Sequence, residues 1–315
     1  MTTLRPTPKP LDPAKFRDPG ITAGGEARAV VAFGGLDTLW VNTGTLCNIT
    51  CANCYIESSP RNDRLQYLTE AELRAALDEA RDEGLREVGF TGGEPFLNRE
   101  LPAMLGEVLG RGLPALVLTN AMKPMRHHDA ALLALRARHG ARLRLRVSLD
   151  HHSAARHDVE RGEGAFAIAL DGLVWLARQG FCLDVAGRAA FGESEAEARH
   201  GFGLLFAEHA IPVDAADPVS LMLFPEMDAG VDVPEITEAC WGILGKSPQS
   251  VMCASTRMLV RRKGSPRATY VACTLLPYEP AFDLGPTLAE AKASVPLNHP
   301  HCAKFCVLGG AACSR

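Results

Sequence analysis

The sequence contains no run of 18 or more apolar residues, and its opening stretch MTTLRPTPKPLDPAKF has no apolar signal core. The expectation is a protein without a membrane span, placed in the cytoplasm. Positive charge is not in surplus either. With 33 Lys and Arg against 37 Asp and Glu the net charge is −4, so nothing pushes the chain towards nucleic acid. The one dense basic stretch, Arg261, Arg262 and Lys263, reads as a solvated turn. No Rossmann glycine fingerprint is present, and the paired C-x2-C…C-x2-C of structural zinc modules is missing around residue 54. Ten cysteines without a secretion signal read as metal ligands or buried thiols rather than as a disulfide framework.

What is present suits a globular chain: 315 residues, 47% apolar and 22% charged, enough for one barrel-sized domain with an appendage or for two domains. Residues 1–35 are rich in Pro and Gly and read as an extended arm lying across something else. From Thr38 onward, strands and helices alternate. TLWVNTG is a short strand; Thr69 and Glu72 form a capping box that opens a helix over about 70–83, with Leu73, Ala76, Leu77 and Ala80 on one face. Five further strands follow, over 86–91, 115–119, 143–149, 181–187 and 219–224, separated by helices that end at glycines or begin at caps such as Ser194 with Glu197. Six such units predict an α/β fold with a parallel sheet: an open six-stranded (β/α)6 partial TIM barrel over 36–226. The last ninety residues, broken by Pro, Gly and Cys, do not supply the two units of a full barrel. Residues 227–315 read as a small cysteine-rich domain.

Candidate chemistry gathers at predicted strand ends, where parallel sheets place it. In CNITCANCYIES, Cys47, Cys51 and Cys54 stand at C-x3-C-x2-C spacing on one loop, with Tyr55 beside the last. Three close thiolates suit an iron-sulfur cube that leaves one iron open; they also suit zinc, which would want a fourth protein ligand. One strand later comes Thr91-Gly92-Gly93-Glu94-Pro95. Its glycines let a ligand approach the backbone, and Pro95 biases Glu94 towards an extended conformation with acceptors for a bound amino group; a tight turn into a helix is the plain alternative. Asn120 and Arg188 end the third and fifth strands, and the planar guanidinium of Arg188 suits a carboxylate. Cys253 and Cys273 bracket a predicted hairpin, followed by Cys302, Cys306 and Cys313. His299 and His301 are competing ligands or loop histidines. Cys182 reads as a core residue, and Cys240 beside Trp241 as core or as a gate near the pocket. The neighbours His127-His128 and His151-His152 point to different faces in any regular backbone and are left unassigned.

The cysteine loop, the G-G-E-P segment one strand on, and the run Val147-Ser148-Leu149-Asp150, His157-Asp158, Arg161-Gly162, Gly164-Ala165-Phe166 together resemble the radical S-adenosylmethionine (SAM) superfamily. The C-terminal cysteines resemble its SPASM or shorter twitch module for an auxiliary cluster. His151 stands where the family pattern has glycine. The resemblance implies a 4Fe-4S cluster on Cys47, Cys51 and Cys54 whose open iron takes SAM, with Tyr55, Gly92, Gly93, Glu94, Asn120, Ser148 and Arg188 around that cofactor. It also implies one auxiliary 4Fe-4S cluster on Cys253, Cys273, Cys302 and Cys306, with Cys313 as a competing fourth ligand. Asp158 and Arg161 are expected to organise the loop before the next helix. The activity implied is reductive cleavage of SAM to a 5′-deoxyadenosyl radical that abstracts hydrogen from a substrate, in oxidoreductase-type or bond-forming chemistry. The partners implied are an electron donor such as flavodoxin or ferredoxin and a small-molecule or peptide substrate. A small metabolite or cofactor precursor ranks just ahead, because only about 35 irregular residues precede the first strand; a molybdenum-cofactor-type cyclase ranks lower because the end, Ala-Cys-Ser-Arg, lacks that group's diglycine. From another class, the chain is a zinc-stabilised, non-catalytic binding protein.

Overall fold

The computed structural model describes residues 9–189, 191–225 and 228–310. Six parallel strands form the centre: β1 (Thr38–Asn42), β2 (Glu87–Thr91), β3 (Ala115–Thr119), β4 (Leu143–Ser148), β5 (Cys182–Arg188) and β6 (Leu221–Phe224). The connecting helices are α1 (Glu70–Glu79), α2 (Leu101–Gly110), α3 (Asp129–His139), α4 (Ala154–Arg161), α5 (Ala165–Arg178) and α6 (Glu195–Glu208). Beyond them, β7 (Thr256–Val260), β8 (Thr269–Val271) and β9 (Asp283–Gly285) complete one nine-stranded sheet in the order β9-β8-β7-β1-β2-β3-β4-β5-β6.

The alternation is written in local chemistry. Both expected capping boxes are closed: Thr69 and Glu72 exchange bonds at the start of α1, and Ser194 and Glu197 at the start of α6, each cap worth about 1 kcal/mol. α1 turns Leu73, Ala76 and Leu77 inwards, and α2 turns Leu101, Met104, Leu105, Val108 and Leu109; with the outer face of the sheet they build the larger core. The inner face is less apolar. Trp40 on β1 lies opposite Gly89 on β2, where a Cβ would stand 2.5 Å from the indole, so the glycine is what lets this ring cross the barrel interior.

One expectation changes. The C-terminal part does supply a parallel strand, since β7 pairs with β1 in parallel register while β8 and β9 fold back antiparallel. The cysteine-rich module is therefore an extension of the barrel sheet at its β1 edge; the expected boundary at 226 falls on residues 226 and 227, outside the described residues. Asp158 and Arg161 lie on helix α4, just ahead of the short loop 162–164 that leads into α5. The basic stretch is a turn with Lys263 exposed, and it carries ion pairs from Arg261 to Glu72, Arg262 to Asp283 and Lys263 to Asp63. Within the arm, described from residue 9, Arg28 reaches Glu235 at 2.5 Å and Val30–Val31 pairs with Val295–Pro296, so what the arm lies across is the C-terminal module.

Candidate active site

The loop after β1 is held from both sides. Gly44 N–H donates to Asn42 Oδ1 at 3.0 Å, Cys47 N–H to the Ser59 carbonyl at 3.1 Å, and Ala52 N–H to the Glu160 carbonyl of α4 at 2.8 Å. Asn53 Nδ2 donates to both Glu160 oxygens at 2.9 Å. The G-G-E segment docks directly on the loop: Gly93 N–H donates to the Gly44 carbonyl (2.8 Å) and Glu94 N–H to the Leu46 carbonyl (3.1 Å). A Cβ on Gly93 would come within 2.1 Å of that same Leu46 oxygen. The glycine thus serves the approach of two protein segments, and the cysteine loop could not sit where it does beside any other residue.

Cys47, Cys51 and Cys54 converge on one wall of a cavity of about 1160 Å³ including its mouth. Burial pushes the Cys47 thiol up to about 12 and raises that of Cys51. Tyr55, Gly92, Gly93, Asn120, Ser148 and Arg188 all border the same cavity. Glu94 does not. Its side chain is turned into the framework, 2% exposed, and accepts from Asn120 N–H (2.8 Å), the Thr119 hydroxyl (2.9 Å) and Phe96 N–H (3.2 Å). Burial nevertheless lifts its carboxyl to about 7.

Asp150 and Arg161, not expected at the cavity, line it as well. Arg161 Nε and Nη2 bracket the Asp150 carboxylate at 2.7 and 3.0 Å, and Arg188 Nε approaches it at 3.4 Å. Burial opposes ionisation of Asp150, but the Arg161 guanidinium outweighs it and holds the carboxyl below its usual range. Arg188 also donates to the Asn53 carbonyl at 2.8 Å and lies 5.2 Å over the Tyr55 ring, so its first task is to brace the cysteine loop. Asp158 accepts from Gly164 and Phe166 N–H and caps α5. Trp40, Leu118, Arg146 and Phe224 line the deeper interior; the alternating L-R-L-R of β4 is the one sequence signal that could have placed Arg146 on an inner face.

A second cavity is bordered by Cys253, Cys273, Cys302 and Cys306, which one hairpin and the turn of π-helix at Cys302–Leu308 bring together. Burial pushes Cys253 up to about 11 and raises Cys302. No disulfide links the described cysteines. Cys313 lies outside the described residues. His301 borders this cavity with a buried Nδ1 that has no partner, whereas His299 does not line it. Thr274 and Leu275 line both cavities, so the wall between them is one short piece of chain. Cys240 begins a short helix, accepts from Thr237 N–H at 3.4 Å and borders neither cavity; Cys182 begins β5, partly exposed.

His151 and His152 do not face apart. The chain bends after β4, the rings lie 4.0 Å apart, and both Nε2 atoms face Glu193. One ligand atom from each of His151, His152 and Glu193 lies within 4.8 Å of the others; His151 Nδ1 accepts Ser153 N–H at 2.8 Å, and Arg156 Nη1 supplies a cation 3.2 Å from the Glu193 carboxylate.

Residues 41–187 match the sequence model of the radical SAM superfamily. The subtilosin biosynthesis protein AlbA of Bacillus subtilis is 30% identical over 141 residues, covering 44% of this chain and 30% of AlbA. The AdoMet-dependent heme synthase of Nitratidesulfovibrio vulgaris is 27% identical over 135 residues, covering 42% and 35% respectively. The match thus spans about a third of these relatives' length. In fold, the chain is similar to Streptococcus suis SuiB bound to S-adenosylmethionine (TM-score 0.57, 12% identity, 81% of this chain and 63% of that one). It is also similar to anSMEcpe with bound AdoMet (TM-score 0.56, 14% identity, 81% and 79%). Members of the superfamily are enzymes that use a 4Fe-4S cluster with SAM. With its cysteine loop, its parallel sheet and this sequence match in agreement, the part of the chain from residue 41 to residue 187 is a radical SAM domain.

Proposed function

We propose that the protein is a radical SAM enzyme with one auxiliary cluster, which abstracts hydrogen from an organic substrate bound in the barrel interior. The observation that carries this reading is the convergence of Cys47, Cys51 and Cys54, and of no fourth cysteine or histidine among the described residues, on one polar-edged cavity. The donor set fits a cube with one vacant iron. Burial raises the Cys47 and Cys51 thiols, which favours their protonated form unless a metal holds them as thiolates, the state a cluster supplies. When bound, such a cluster and SAM supply one-electron cleavage of the sulfonium to methionine and a 5′-deoxyadenosyl radical, the electron coming from a donor such as flavodoxin or ferredoxin.

The chain's own work is to hold and exclude. Gly92 and Gly93 let the cofactor reach the backbone, Asn120 and Ser148 offer hydrogen bonds, and the Arg188 guanidinium stands where a carboxylate would pair. Trp40, Leu118, Phe224 and Leu275 give the reacting end an apolar, water-poor surround. Cys253, Cys273, Cys302 and Cys306 would hold a fully ligated second cluster, and because Thr274 and Leu275 line both cavities, such a cluster would stand next to the substrate cavity and could accept an electron there. The substrate is a small metabolite or cofactor precursor in the first reading. A peptide is the second, favoured by AlbA, a bacteriocin biosynthesis protein, among the relatives.

Anaerobic purification tests the proposal. The expected result is a brown protein with about eight irons per chain that releases 5′-deoxyadenosine when reduced with SAM. A colourless zinc protein that forms none, or a two-cluster carrier that does not bind SAM, overturns it.

A further inference from the structure

Three arginines are among the largest fully buried side chains: Arg28, Arg146 and Arg257. Arg28 has Glu235 and Arg146 has Asp184. Arg257, on β7 and 1% exposed, has no carboxylate in ion-pair reach among the described residues. Its guanidinium is held by backbone carbonyls: Nε donates to Ala291 at 2.5 Å, Nη1 to Cys253 at 2.6 Å and to Thr256 at 2.7 Å, and Nη2 to Ala293 at 3.1 Å. Its face lies 4.3 Å from the centroid of the Phe33 ring. Carbonyl dipoles satisfy four of the five N–H donors but bring no net charge. A buried cation left so costs several kcal/mol unless an anion stands near.

The anion the chain could provide lies on the other side of Cys253. Arg257 grips the carbonyl of that residue, whose Sγ borders the second cavity with Cys273, Cys302 and Cys306. Four thiolates around a 4Fe-4S core carry net negative charge, and reduction adds one more electron; a fixed cation beside it favours the reduced state and lifts the reduction potential.

We propose that Arg257 is the built-in counter-charge of the group held by Cys253, Cys273, Cys302 and Cys306, and that it tunes this group to accept an electron. It acts through the field at Cys253 and touches no substrate, so it is a positioning residue. The inference rests on the reading of the second cavity as a cluster site.

The test uses the full chain with Cys47, Cys51 and Cys54 all changed to Ala, reconstituted anaerobically so that only the second site can load. Iron and sulfide are counted, and the midpoint potential is followed by EPR in redox titration. If no cluster loads, the cluster reading itself fails and takes this inference with it. With a cluster loaded, Arg257→Gln is expected to move the midpoint to a more negative potential, and Arg257→Lys, which keeps the charge, to stay near the parent. An unchanged midpoint in Arg257→Gln, or a shift in Arg257→Lys as large as in Arg257→Gln, overturns the inference alone. Should Arg257→Gln not fold, Phe33→Glu against Phe33→Gln decides: a carboxylate over the guanidinium face is expected to lower the midpoint relative to glutamine, and equal midpoints overturn the proposal.

Discussion

Asp150→Asn should separate charge from shape at the point where the site is tied together. The substitution is isosteric, yet it leaves Arg161, which now brackets Asp150 at 2.7 and 3.0 Å, and Arg188, at 3.4 Å, without their shared anion in a buried setting. Removing one partner of a buried pair costs about 3–5 kcal/mol. At about 2 °C per kcal/mol for a protein of this size, the melting temperature should fall by roughly 6–10 °C. The damage should also reach the cysteine loop, since Arg188 braces Asn53 and α4 holds Ala52; metal retention should drop with stability. Thermal unfolding by circular dichroism, with iron counted on the same samples, measures both. The sign of the acid response is fixed as well. Because the folded state depresses the Asp150 pKa, its contribution is present above the unfolded value near 4 and is lost as pH falls through the lower folded value. A loss under about 1 kcal/mol for Asp150→Asn would refute the view that this ion pair organises the site.

Two other outcomes follow from the same geometry. Gly93→Ala would set a Cβ 2.1 Å from the Leu46 carbonyl, so about 1–3 kcal/mol of stability should go with overpacking, and iron should be lost from the cysteine loop before it is lost elsewhere; a variant that keeps wild-type iron content and melting temperature contradicts the docking of the two segments. Glu94, raised to about 7 by burial from 4.5, should cost the metal-free protein about 3 kcal/mol as pH rises through that interval, because the folded state holds a proton the unfolded chain has released. Buried His157, lowered to about 4 by burial, gives the opposite slope between 4 and 6.5, so the difference between wild type and Glu94→Gln in urea titrations is the quantity to measure; parallel pH profiles would show that Glu94 is not held protonated.

Much of this arrangement was legible in the sequence because its cues are local. The capping boxes at Thr69 and Ser194, the continuous apolar run of β3 and the C-x3-C-x2-C loop each state their geometry within a dozen residues. Helix α4 was not legible, and the reason is physical: it buries His157 and Glu160 while Val159 is 73% exposed. Its hydrophobic periodicity is thus inverted by the task of holding Asp150 and the cysteine loop. Nor could Asp150 and Arg161 be paired from sequence, since the contact depends on how α4 returns over the end of β4. The parallel match of β7 with β1 joins strands more than two hundred residues apart, and no nearby residue encodes it. Adjacent His151 and His152 misled because the rule for regular backbone fails at a bend.

The central claim is that Cys47, Cys51 and Cys54 leave one iron open to SAM. In the variant with Cys253 and Cys273 both changed to Ala, which removes two ligands of the second site, the EPR spectrum of the reduced cluster should change on adding SAM, and 5′-deoxyadenosine should form. A spectrum unaltered by saturating SAM, or a side chain found as the fourth ligand of that cluster, would contradict it.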